Sequence, residues 1–105
     1  MGSMHERRRY PRIQMRDQVA FPLGDGQHHV SAMLVNISLG GAFIHSERML
    51  QEGVEFAFVA VFPPGTLTPK WSPAWCRARV LRTNEWLVDG QFGTALRFLN
   101  VQAWP

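Results

Sequence analysis

Arginine is the densest chemistry in this sequence: Arg7, Arg8, Arg9 and Arg12 fall within six positions around Tyr10-Pro11. A guanidinium stays charged and presents a rigid fork of donors, so a spaced pair of arginines suits phosphate oxygens, the O6 and N7 of guanine, or the face of a flat ring. Pro11 disfavours the helical region for Tyr10 and has no N–H of its own, so the segment reads as extended. In an extended chain, residues an even number apart face the same way, which puts Arg8 and Arg12 on one side about 13 Å apart. The ligand class this spacing suggests is anionic and contains a purine.

A second polar group stands at Asn36-Ile37-Ser38-Leu39-Gly40-Gly41. Asn36 and Ser38 share a strand face and bring an amide and a hydroxyl, both able to read a polar base edge, while Gly40 and Gly41 would let backbone come close to a flat ring. Taken alone the segment is equally a plain turn between strands. Other candidate chemistry is thin. His28-His29 is the only histidine pair, His5 and His45 stand apart, and no CxxC or HxxxH spacing marks a metal site. Cys76 falls on the apolar side of its alternating stretch and reads as a packing residue, and Ser38 lacks the GxSxG setting of a nucleophile. No enzyme is expected, and no cofactor or metal. Asn36-Ile37-Ser38 also fits the N-x-S glycosylation pattern, which has no meaning without a secretion signal.

The charge is unevenly placed. Residues 6–16 hold five arginines against one glutamate, or +4, and with +3 for the whole chain the rest stands at −1. One anion-seeking edge fits this better than a face that tracks a long polyanion. At 105 residues, 46% hydrophobic and 18% charged, the chain has material for one hydrophobic core and no room for a second lobe. A lone cysteine and the lack of a leader pattern point to the cytoplasm. The longest apolar run, Phe56 to Phe62, is far below the roughly 20 residues of a membrane helix, so no membrane insertion is expected.

The elements that must carry these residues alternate with period two. QVAFPL (18–23) and HHVSAMLVNI (28–37) flank the turn-forming Gly24-Asp25-Gly26 and read as a hairpin. GAFIH (41–45), VEFAFVAVF (54–62), AWCRARVLRT (74–83) and FGTALRFL (92–99) complete six strands, with a proline-rich loop over 63–73. Connections are too short for parallel crossovers and no helix of ten residues is evident. The expected fold is all-β, a six-stranded antiparallel barrel, since closure removes the edges of a small sheet. The expected organisation is a cloning remnant without order at 1–5, a flexible arginine-rich arm at 6–16, the barrel at 17–100 and a tail at 101–105.

In order, spacing and strand context, Arg8-Arg9-Tyr10-Pro11-Arg12 followed by Asn36-Ile37-Ser38-Leu39-Gly40-Gly41 resembles the PilZ domain family, with its RxxxR and [D/N]xSxxG motifs. The later stretch Phe92 to Phe98 is similar to the last barrel strand of that family, and the likeness covers about residues 6–100. The resemblance implies a six-stranded barrel with a C-terminal helix short or absent here. It also implies cyclic di-GMP as ligand, and a ligand-switched receptor or adaptor domain acting on an effector protein not identifiable from sequence. Arg8 and Arg12 would grip phosphates and guanine faces, with Asn36, Ser38, Gly40 and Gly41 forming the opposing surface. Arg7 matches the family form that takes an intercalated dimer of the ligand. The competing reading is a small-barrel module for single-stranded nucleic acid, with Trp75 or Trp71 stacking bases. The charge balance outside the arm disfavours it.

Overall fold

A computed structural model of the chain describes residues 12–24, 28–84 and 90–104. Six strands follow in order: β1 (Ile13–Leu23), β2 (His28–Ile37), β3 (Gly41–Ser46), β4 (Glu55–Phe62), β5 (Ser72–Asn84) and β6 (Phe92–Ala103). All pairings are antiparallel, and the sheet runs β1-β2-β3-β6-β5-β4. Strands that follow one another in sequence pair as hairpins except at the centre, where β3 reaches across to β6.

The ends of this sheet, β1 and β4, curl together into a nearly closed barrel. Phe21 of β1 stacks on Phe56 of β4 with ring centroids 3.9 Å apart and planes 10° from parallel, and Phe58 tilts against the same ring at 6.1 Å. The seam is thus closed by aromatic packing inside the barrel. Alternation supplies the rest of the interior: Ala74, Cys76, Ala78 and Val80 of β5 point inward while Arg77 and Arg79 point to solvent. Phe58 and Phe62 pack on Phe98 from the last strand at 6.1 and 6.0 Å.

One polar bond system lies within the core region. The Thr83 hydroxyl donates to the Leu50 carbonyl at 2.7 Å, so the fully buried Thr94 hydroxyl, 3.2 Å away, supplies the proton between the two threonines. This anchors the connection between β3 and β4 and inserts Leu50 into the core.

The proline-rich segment is an ordered turn. Thr66 donates from both its N–H and its hydroxyl to the Pro63 carbonyl, at 3.2 and 2.6 Å. Pro64 and Gly65, with φ of 89° at the glycine, occupy the two central positions as a type II turn requires. Thr68, Lys70 and Ser72 then bond one another, and β5 begins at Ser72 opposite Phe62.

Two boundaries differ from those expected. Residues 13–16 are already strand and do not belong to an arm, and 101–103 continue β6 and are not a tail. Bulges account for both: an extra residue between Gln14 and Asp17 in β1, and Leu99 in β6 between the pairs Phe98–Ala78 and Asn100–Arg77, each interrupt the two-residue rhythm that a sequence reading follows.

Candidate functional site

Asn36 is held where two of these irregularities meet. It pairs with Gln14 of β1 on one side and Phe43 of β3 on the other, with the β1 bulge just beyond Gln14 and a second bulge at Val35 in β2. Bulges twist a strand and re-aim its side chains. Here Leu34 and Ile37 remain fully buried, and Asn36 between them is turned to the outer face, half-exposed. The Arg12 guanidinium donates from Nη1 to Asn36 Oδ1 at 3.1 Å, across 24 residues of sequence. The amide oxygen is thereby spoken for, and the Asn36 NH₂ is left as the donor end.

Ser38 has a different role from the one expected. It is 3% exposed, its Oγ accepts from the Gly40 N–H at 3.1 Å, and it lies 3.4 Å from the Gly41 carbonyl, to which it donates. The Ser38 N–H also donates to that carbonyl at 2.9 Å. Both functions of the hydroxyl therefore build the loop that joins β2 to β3. Gly40 is exposed at the tip, and its carbonyl accepts from the Phe98 N–H at 2.9 Å, which fastens the loop to β6.

Gly41 is glycine for the protein's own packing. A methyl group in place of its hydrogen would overlap the carbonyl oxygen of Leu96 and lie 3.4 Å from the Arg97 Cα. The close approach that this position permits is thus between β3 and β6, whereas the sequence suggested approach to a ligand ring. Among the expected site residues, Arg12, Asn36, Ser38, Gly40 and Gly41 converge at one end of the barrel. Arg7 and Arg8 lie outside the described residues.

Two neighbours escaped the sequence reading. Phe43, directly opposite Asn36, is half-buried on the outer face and sets its ring edge to His45 at 5.6 Å. Arg97 is exposed and pairs directly with Gly41. Alternation could have found both, since Ala42 and Ile44 around Phe43, and Leu96 and Phe98 around Arg97, all point inward. A groove of about 430 Å³ runs over β1, β2 and β3, lined by Arg16, Gln18, Ser31, Met33, Val35 and His45 among others and not by Arg12, Asn36 or Phe43. The end of the barrel thus offers a guanidinium, an amide donor and an aromatic ring edge, a set suited to a flat, polar, anionic ligand.

Elsewhere on the outer face, β4 and β5 share a compact ion-pair cluster. Glu55 of β4 accepts from Arg79 at 2.6 Å and from Arg77 at 2.7 Å, and these bonds, Arg79's first, hold its carboxyl below the usual range. Cys76 is buried, and desolvation pushes its thiol up to about 12. It is a packing residue, as its position in the alternation indicated. Among the described residues no group of His, Cys, Asp or Glu is arranged to hold a metal ion.

The barrel with this outer-face site defines a class of small domains, and the chain belongs to the PilZ domain family, whose model matches residues 6–103. It is similar in fold to the Bacillus subtilis inhibitor of motility MotI/DgrA, with a TM-score of 0.69 at 18% identity. That match covers 90% of this chain but only 43% of the Bacillus protein, so the chain spans less than half its length. It is also similar to the PilZ domain of YcgR from Escherichia coli, solved with c-di-GMP, with a TM-score of 0.60 at 24% identity over 90% of this chain and 79% of that one. No curated protein sequence matches the chain.

Proposed function

We propose that this domain binds cyclic di-GMP at the Arg12–Asn36 end of the barrel and acts as a ligand-switched receptor or adaptor, without catalysis of its own. The observation that carries the reading is the 3.1 Å bond from Arg12 Nη1 to Asn36 Oδ1, which brings the last residue of the RxxxR stretch onto the first polar residue of the [D/N]xSxxG stretch. Membership of the PilZ family and likeness to a domain solved with this dinucleotide support it. In this reading Arg7, Arg8 and Arg12 close over the ligand, Asn36 reads a guanine edge through its NH₂, and the loop built by Ser38, Gly40 and Gly41 holds that surface in place. A ligand bound on this face would change the surface shown to an effector protein.

The single-stranded nucleic-acid reading has no comparable support, because Arg77 and Arg79, which follow Trp75 along β5, are already engaged by Glu55. Calorimetric titration of cyclic di-GMP tests the proposal. The intact chain is expected to bind one or two equivalents, and Arg12→Ala and Asn36→Ala each to weaken binding by roughly tenfold or more, the scale of a lost charge-assisted bond. No heat from the intact chain at tens of micromolar protein, or unchanged affinity in both variants, refutes it.

A further inference from the structure

Arg79 and Arg97 stand directly opposite each other on β5 and β6, both exposed on the outer face. Like charges in that arrangement are destabilising, so a sheet keeps them only with compensation. Arg79 has it, through Nε and Nη2 bonds to Glu55 at 3.0 and 2.6 Å that draw its guanidinium toward β4. Arg97 has no ion-pair or hydrogen-bond partner for its side chain among the described residues. It is the uncompensated cation of the pair.

Its position is specific. Arg97 pairs with Gly41, and the next residue, Phe98, donates its N–H to the Gly40 carbonyl at 2.9 Å. With glycine at 40 and 41, no side chain rises between Arg97 and the loop. Asn36 lies two strands over and two residues along, a Cα separation of roughly 12 Å from ideal sheet spacings. An extended arginine therefore faces Arg12 and Asn36 from the opposite rim of the same surface.

We infer that Arg97 is a further binding residue of this site, gripping a phosphate of the cyclic purine dinucleotide from the β6 side while Arg12 holds the β1–β2 side. This rests on the function proposed above. The fork of a guanidinium suits a phosphate bidentately, and the bare glycine backbone lets the ligand lie flat enough for Arg97 to reach it.

Calorimetric titration of cyclic di-GMP into the full chain tests it, with Arg97→Ala, Arg97→Lys and Lys70→Ala. Lys70 lies in the loop before β5 and removes the same charge away from the site. Arg97→Ala is expected to weaken binding roughly 10- to 100-fold, Arg97→Lys to recover part of that as a point charge without the fork, and Lys70→Ala to stay within twofold. Because Arg97 is exposed, none of the three variants should melt below the parent chain, and Arg97→Ala should melt at or slightly above it as its repulsion with Arg79 is relieved. Arg97→Ala binding within twofold of the parent, or Lys70→Ala losing as much as Arg97→Ala, overturns the role of Arg97 and leaves the ligand assignment standing. A flat titration of the parent chain overturns the ligand assignment and this inference together.

Discussion

Gly41→Ala separates two reasons for a glycine at the end of the motif. The added methyl would overlap the Leu96 carbonyl oxygen, and that partner is backbone in a paired strand, so it cannot swing aside as a flexible side chain would. β3 and β6 must part at the Gly41–Arg97 pair. Overpacking of this kind costs about 1–3 kcal/mol. The same movement strains the Phe98 N–H to Gly40 carbonyl bond and the Ser38 N–H to Gly41 carbonyl bond, each 2.9 Å long and each contributing about 1 kcal/mol net. Against this, alanine restricts the unfolded chain and favours folding by about 0.4–1 kcal/mol. The net loss is on the order of 2–3 kcal/mol, a large share of the roughly 5–15 kcal/mol of a typical domain, and corresponds to a fall in melting temperature on the order of 10–15 °C. Urea unfolding followed by tryptophan fluorescence reads it. A Gly41→Ala chain with unchanged stability would refute the packing argument, and one that kept its stability while losing the dinucleotide would show that the glycine makes room for ligand instead.

Phe21→Ala removes the ring that closes the barrel seam on Phe56 and Phe58, and should cost about 3–5 kcal/mol by urea unfolding; a loss under 1 kcal/mol would contradict closure by aromatic packing. Cys76, with its thiol raised to about 12, should resist iodoacetamide at pH 8 in the folded chain and react once the chain is unfolded in urea; rapid alkylation of the folded chain would contradict its burial. Glu55 is held below its ordinary value of 4.5 by Arg79 and Arg77, so its contribution to stability is present above about that pH and is lost as the pH falls through the lower folded value. Urea midpoints from pH 6 to pH 3 should therefore fall less steeply in Glu55→Gln than in the parent chain, and an identical acid slope would contradict the pairing.

The six strands were legible because long parts of them alternate cleanly, as Ala74 to Val80 of β5 do, and β2 runs from His28 to Ile37 as expected despite its bulge at Val35. What escaped follows from the places where alternation fails. Met15 and Arg16 sit at a bulge, so β1 looked five residues shorter and its start read as part of an arm. Leu99 is an exposed bulge residue, so β6 seemed to end there. The pairing of β3 with β6 is long-range, and no local pattern announces it. The site divides in the same way. Arg12 and Asn36 could be picked out by residue type and spacing. The inward turn of Ser38 depends on the geometry of a three-residue loop, and the reason for Gly41 depends on a carbonyl 55 positions away in sequence, so neither could be read from the motif itself.

We propose that cyclic di-GMP sits on the outer face where Arg12 meets Asn36. Backbone amide shifts on titration with the dinucleotide test it most directly, because they report ligand and location together. Saturable changes are expected to cluster at Arg12 to Gln14, Asn36 to Gly41, Phe43 and Arg97-Phe98. No change at saturating ligand, or changes confined to the cleft formed by Trp75, Gln102, Ala103 and Trp104 on the outer face of β5 and β6, would contradict it.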